Sequence, residues 1–503
     1  MKVEIAGYNV DARVLQEMEK AGIRKEQLTP EVISAAYARI SRDPRPVSEL
    51  RRAALEEVEK ARKSNRSIIF EMGHHSVAEH AVFNFDIVGI SRLAIESLER
   101  FRLCSYTEKS QRYITLDSDF VIPSEIQGTP FESELMSLVV DQTACYEKMK
   151  DALLKRLAKD YPDIYQKKSG RRLIDGLAKE DARYVTILAT TGQLGFTANA
   201  RNLELIIRRF TASKLAEVRN LGRILYEKAS AVAPSLLLFT ESSKYDAQTV
   251  DELGALQSEV MPPGSPRSEN VEAVRLVNHT SDADRTVAAA LLYLVSTASF
   301  EDCRMSAKEM SHEQLAVIFD KAMQHMDFFD APLREFEHVA LTFDIALSAS
   351  AFAQLKRHRM TTQSLQVYDP NLGVTVPPSI IQVGLEEEFR THIGRTEKLY
   401  ERLSAEMPHA ASYVLTNAHR RRVLMTTNLR ELYHFIRLRE DTHAQWDIRA
   451  LALEMRNQAA EVMPLSTLLL CGKSDYRELF ERVFGRQPDV VPPVAPYSAQ
   501  IKY

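Results

Sequence analysis

The feature that most constrains this chain is that it repeats itself. Phe83-Asn-Phe-Asp-Ile87 returns as Leu341-Thr-Phe-Asp-Ile345, each after a Glu-His pair, Glu79-His80 and Glu337-His338. An Arg-x-Arg follows in both places, Arg100-Phe101-Arg102 and Arg357-His358-Arg359, 257 residues apart. Farther on, Asn199-Ala-Arg201-Asn-Leu203 matches Asn428-Leu-Arg430-Glu-Leu432 at an offset of 229. Three matches in one order mean duplication, and a duplicated domain builds its core twice. The smaller second offset marks extra residues in copy one, from Asp117 to Asp181.

The boundary between copies falls in Gln248 to Glu272, where Met261-Pro-Pro-Gly-Ser-Pro-Arg-Ser is rich in turn formers. The expected organisation is a first domain over 1–247, a linker over 248–272 and a second domain over 273–480. A tail over 481–503 carries Pro488, Pro492, Pro493 and Pro496 and reads as extended. Within each copy the pattern is α+β, a sheet with long flanking helices. Met1 to Gly7 reads as a short strand, and Ala81 to Val88 alternates as a strand does. Ser91 to Arg102 has helical spacing. Arg201 to Val232 and Arg430 to Val462 each read as one long amphipathic helix. The apolar run Val287 to Phe300 is too short to span a bilayer and reads as a buried helix.

A net charge of −4 and a pI near 6.4 give no global attraction to nucleic acid or anionic membrane. A polyanion site must then be a local cluster of arginines. The four cysteines are scattered, with no Cys-x-x-Cys pair or histidine partner at metal spacing. That suits a reducing cytoplasm and gives no metal site. No apolar stretch of a signal peptide opens the chain, so a cytoplasmic protein is expected. Neither Gly-x-Gly-x-x-Gly nor a phosphate-binding P-loop occurs.

The chemistry-bearing residues of copy one follow the Arg100/Arg102 pair: Ser105-Tyr-Thr-Glu108-Lys-Ser110-Gln-Arg112-Tyr113. Arginine offers a planar fork that matches phosphate oxygens in pairs. Serine adds a short donor, and glutamate can accept from a ribose hydroxyl or a base N–H. A phosphate with a polar ring suits this set, and so does a solvated helix end making surface ion pairs. Trp446 sits amid helical apolar positions and reads as core, and His419 to Arg422 reads as a solvated basic face.

Gly73-His74-His-Ser76-Val-Ala-Glu79-His80, then Arg-x-Arg, seven residues, then Ser110 with Arg112, resembles the flavin-dependent thymidylate synthases. Copy two adds Gln354-Leu-Lys-Arg357-His358-Arg359 and a stretch from Asn428 to Ile448 that is very similar to that family's C-terminal helix motif. The resemblance implies a central sheet with long helices, assembled as a tetramer with sites between subunits. It implies FAD as cofactor, dUMP as substrate, methylenetetrahydrofolate as carbon donor and NADPH as reductant. A homodimer of this chain would then reproduce the tetramer. Neither nucleic acid nor membrane is expected as a partner.

The departures from the motif are ordered. Opposite His74, Ser76, Glu108, Ser110, Arg112 and Arg183, copy two carries Pro332, Arg334, Leu365, Val367, Asp369 and Ser412. Opposite Gln354, His358, His434 and Arg439, copy one carries Ser97, Phe101, Leu205 and Phe210. What each copy lacks the other keeps, which adds up to one composite site and one dismantled one. The resemblance implies that Gln354, Arg357, Glu108, Ser110, Arg112, Arg183 and Arg439 contact dUMP. It implies that Ser76, Glu108, Arg357, His358, Arg359, Asn428, Arg430 and His434 bind FAD. Arg439 would polarise the uracil carbonyl, and His74 would lie near the flavin. Arg100, Arg102, Asn199 and Arg201 read as interface ion pairs left in copy one. Two other readings stand beside this: the same fold and flavin acting on another pyrimidine nucleotide, or a catalytically silent nucleotide-binding duplicate.

Overall fold

The computed structural model describes residues 1–18, 27–110, 112, 119–261 and 271–491. Two four-stranded antiparallel sheets carry the fold, one per repeat, and their topology is the same. In the first, β1 (Lys2–Tyr8), β2 (Val82–Ser91), β3 (Ser105–Glu108) and β4 (Thr191–Asn199) lie in the order β1-β2-β4-β3. In the second, β5 (Val274–His279), β6 (Ala340–Ser348), β7 (Thr362–Leu365) and β8 (Arg420–Asn428) lie in the order β5-β6-β8-β7. The α+β duplication read from the sequence is therefore the architecture.

Strand alternation places the cores. In β2, Phe83, Phe85 and Ile87 are buried while Asn84 and Asp86 face outward, the pattern of a sheet covered on one side. They pack with Phe196, Leu203, Ile206 and Leu225. The second sheet repeats this with Leu341, Phe343 and Ile345 against Met425, Leu432, Ile436 and Leu451. β2 has one more residue than β6 because its pairing slips between Val88 and Ile90, where Gly89 takes φ +71°. Glycine pays no Cβ penalty there, and the bulge absorbs one residue. The bulge also explains why the repeat offset falls from 258 at Phe83 to 257 at Ser91.

The chain divides into two compact units that do not follow the repeats. Unit 1 holds Met1–Val140, Ile187–Pro266 and also Lys398–Val414 from copy two. Unit 2 holds Arg267–Glu397, Leu415–Tyr503 and also Asp141–Thr186 from copy one. Each unit thus takes in a segment of the other repeat. In unit 1, Leu399, Leu403, Tyr413 and Val414 pack with Phe131, Leu135, Ile187 and Ala189, and Ala189 N–H donates to the Tyr413 carbonyl at 2.9 Å. In unit 2 the equivalent bond runs from Ala418 N–H to the Tyr184 carbonyl at 3.0 Å.

Several expectations need correction. Arg201 to Val232 forms two helices, Ala200–Thr211 and Ala216–Ser230, and Arg430 to Val462 forms Leu429–Arg439 and Trp446–Val462. At the first break the Ser213 Oγ accepts from Leu215 N–H, and at the second the Asp441 carboxylate accepts from His443 N–H. Such local side-chain bonds end a helix without glycine or proline. The linker region contains the helix Lys244–Val260, started by a Ser243/Asp246 capping box; residues 262–270 lie outside the described residues. Val287–Leu291 is buried in the helix Ala283–Leu294, but Tyr293, Leu294, Val295 and Phe300 are exposed. His419 is fully buried, and Arg420–Arg422 open β8 rather than a solvated face. Trp446 is half-buried at the first residue of its helix. The tail's Pro492, Pro493 and Pro496, and residues 117 and 118 of the copy-one insertion, lie outside the described residues. Among the described residues no helix is long and apolar enough to cross a membrane.

Candidate functional site

Each unit contains a three-residue tether of the same kind. In unit 2, Ser348 caps the helix Ala349–Leu355, its Oγ accepting from Ala351 N–H at 3.0 Å. The same hydroxyl donates to Asp447, and Tyr184 donates to that carboxylate at 3.0 Å. In unit 1, Ser91 caps the helix Arg92–Glu99 and donates to Glu217 at 2.6 Å, while Tyr413 donates to Glu217 at 2.8 Å. In each case the tyrosine comes from the other repeat. A hydroxyl has one proton and two lone pairs, so a serine can cap a helix and satisfy a carboxylate together.

In unit 2 the tether continues into a longer network. Gln445, fully buried, donates from Nε2 to the Tyr184 hydroxyl. Its Oε1 faces the Gln354 amide at 3.5 Å, and Arg439 donates to Gln354 Oε1 at 3.2 Å. Arg439 Nε also donates to His358 Nε2 at 2.9 Å. Accepting from a guanidinium requires a neutral imidazole. Burial, followed by the charges of Arg439 and His434, holds His358 well below its ordinary pKa. His358 Nδ1 lies 3.4 Å from Glu431, itself pushed up by burial. The expected Gln354, His358 and Arg439 thus form one hydrogen-bonded group.

Arg183 of copy one is in the same unit and is buried, donating to the Glu180 carbonyl at 3.2 Å. Its charge favours the ionised forms of Asp181, Tyr184 and Asp447. Asp181 is nevertheless raised to about 7, first by burial and then by Glu180, despite bonds from Ser379 and Trp446. Trp446 stacks on Tyr184 with ring centroids 5.8 Å apart, and its Nε1 donates to Asp181 at 2.8 Å. Arg357 is half-buried, while Arg359 and His434 are exposed. An arginine fork beside a histidine suits a phosphate-bearing, planar ligand.

Asn428 and Arg430 show the contacts of a fold element. Asn428 caps its helix, accepting from Glu431 N–H at 2.8 Å, and Arg430 bonds the Pro332 carbonyl at 2.7 Å and Glu337 at 3.3 Å. Copy one does the same, with Asn199 as cap and Arg201 paired to Glu79 on the surface of unit 1. Arg100 and Arg102 are exposed in unit 1.

The remaining expected residues lie in unit 1. His74 and Ser76 are exposed around the start of the turn His75–His80, just after Gly73 at φ +78°. Ser110 and Arg112 are half-buried, with the Arg112 N–H on Ser110 Oγ at 3.3 Å. Glu108 ends β3 at a cavity of about 520 Å³ lined also by Lys2, Asp86, Lys109 and Gln193. Sequence reasoning missed Tyr184, Ser348, Gln445 and Asp447. A signal existed: Ser91 and Ser348, like Tyr184 and Tyr413, recur at the repeat offsets of 257 and 229.

Comparison with known proteins follows the same two-copy division. The sequence profile of the thymidylate synthase complementing protein family matches twice, over 25–235 and 275–465. A UPF0159 protein of Chlamydia muridarum is 25% identical over 81% of this chain and 80% of its own length. Another, of Thermoplasma acidophilum, is 24% identical over 79% of this chain and 86% of its own. A flavin-dependent thymidylate synthase of Clostridium tetani is 31% identical over 42% of this chain and 83% of its own length, the span of a single repeat. With both repeats matched, the chain belongs to the thymidylate synthase complementing protein family, as a tandem duplication of its domain.

Proposed function

We propose that the protein is a flavoenzyme that reductively methylates dUMP to dTMP, with methylenetetrahydrofolate as carbon donor and NADPH as reductant. The observation that carries this reading is the held guanidinium of Arg439. Neutral His358 and Gln354 fix two of its donors, which holds the guanidinium plane in one orientation. A fixed cation in a half-buried polar setting stabilises charge that develops on a pyrimidine carbonyl as C5 becomes nucleophilic. FAD, when bound, supplies the hydride that completes the methyl group. Arg357, Arg359 and His434 would hold it, with Ser76 and Glu108 contributing from copy one. Asn428 and Arg430 keep the segment carrying these groups in place.

Ser110 and Arg112 would take the nucleotide phosphate, one by a short hydroxyl donor and one by a fork. Gln354 and Arg357 would add contacts to dUMP, and His74 would lie beside the flavin. The reading draws on both repeats, and the copy-one Arg183 and Tyr184 sharing a unit with Gln354 and Arg439 support it. Turnover should therefore fall by a factor of a hundred or more, on the order of one lost charge-stabilising donor, in Arg439→Ala and in Arg112→Ala alike. An Arg112→Ala enzyme with normal turnover removes the two-repeat site.

The direct test is a visible absorption spectrum of the purified protein, titrated with dUMP. A flavin band that shifts on adding the nucleotide is expected, followed by dTMP formation with folate and NADPH. A protein that takes up no FAD sinks the proposal. The name of the UPF0159 relatives states no activity, so dCMP and UMP belong in the same titration, and a larger response to either moves the reading to that nucleotide.

A further inference from the structure

We infer that Gln445 is a positioning residue: its amide couples the exchanged Tyr184 to Gln354 and so fixes the face that Gln354 turns toward Arg439. This rests on the nucleotide-site reading above. The argument starts from donor and acceptor inventories. Arg439 has only donors, so Gln354 must offer it an oxygen. The Gln354 amide NH2 then faces Gln445, which must answer with its own oxygen. That leaves the Gln445 NH2 for Tyr184, whose hydroxyl accepts it and passes its proton to Asp447. Every donor along the chain points the same way and ends on a carboxylate. Reversing any amide would set NH2 against a guanidinium at one end or oxygen against oxygen at the other.

The duplication separates this role from simple packing. Unit 1 keeps the tether, as Ser91, Glu217 and Tyr413. The position of Gln445, two before the tether's carboxylate, is Leu215 there, and Gln354 and Arg439 are replaced by Ser97 and Phe210. A fold need for an amide at this place would have preserved it in both units. It survives only where there is a glutamine–arginine pair to orient. Leu215 also shows that the fold accommodates an apolar side chain at this position.

The experiment measures dUMP affinity, FAD affinity and melting temperature for the full chain, for Gln445→Leu and for Gln445→Met, each also in a Gln354→Ala background. Met keeps the length of Gln and removes its hydrogen bonds. The expected result is about a tenfold loss of dUMP affinity in both variants, the scale of one buried hydrogen bond, with FAD affinity and melting temperature held. In the Gln354→Ala background the loss should vanish, because the partner being oriented is gone. Unchanged dUMP affinity overturns the inference. So does a loss that adds in full to that of Gln354→Ala, or one that tracks an equal fall in FAD affinity and melting temperature. If the wild-type protein binds FAD but no pyrimidine nucleotide, the nucleotide-site reading itself falls and this inference with it. If the wild type binds dUMP and the variants match it, only the role of Gln445 falls.

Discussion

Arg439 shows how a half-buried cation is made useful. An arginine surrounded by carboxylates would spend its charge on them. Two of its bonds go to neutral acceptors, His358 and Gln354, which hold the guanidinium in place without neutralising it. His358→Asn should keep an acceptor but lose the ring that packs 4.7 Å from Phe435. Turnover should drop while the fold persists, read as kcat against melting temperature. Asp181 offers a pH test. Its carboxyl titrates near 3.8 in the unfolded chain and at about 7 when folded, burial being the main cause. Between those values the folded protein holds a proton that the unfolded chain has lost. Stability from this group is therefore full below about pH 4 and falls as pH rises to about 7. Asp181→Asn should flatten that part of the stability–pH curve, measured by denaturant melts from pH 4 to 8; an unchanged slope would show that another group sets it.

At the scale of elements, the paired tethers do structural work that their network extension does not. Ser91→Ala or Ser348→Ala should each cost about 1–2 kcal/mol, losing a helix cap and a hydrogen-bond partner of the tether's carboxylate. The two tyrosines should part company in function. Tyr413→Phe should lower stability and leave nucleotide affinity alone, whereas Tyr184→Phe should lower both, as calorimetry and dUMP titration would show. Glycine placement marks another element-level demand. A Cβ on Gly222 would sit 2.8 Å from that of Phe210, so Gly222 lets the helix Ala216–Ser230 close on Ala200–Thr211. The sequence made strands β2 and β6 readable because alternation with period two is a local signal. It hid the helix breaks, since amphipathic spacing runs on either side of them and the turns at Ser213 and Asp441 use side-chain bonds rather than glycine or proline.

For the whole molecule, the consequence is that neither repeat owns a complete core. Unit 1 buries Ile187, Ala189 and Leu135 against Leu399, Leu403 and Val414 of copy two. A polypeptide ending at Val260 would lack those partners and expose that surface. Expressed alone it should bind a hydrophobic dye or aggregate, and adding the remainder of the chain should suppress this. A well-behaved, cooperatively folding fragment would show that the exchanged segment is dispensable. The sequence by itself determined the duplication, the two similar α+β sheets and the ordered partition of arginine-site residues, because each is a pattern of residue types at fixed spacing. It also brought Gln354, His358 and Arg439 to attention, and these are hydrogen-bonded neighbours. Only the tertiary structure decided that Tyr184 would serve Asp447, 263 residues away, and that Tyr413 would serve Glu217, 196 away. Local periodicity says which face of an element is buried. Which distant polar group meets a buried carboxylate is settled by the packing of the folded chain, where each such group must find a partner or bear the cost of desolvation.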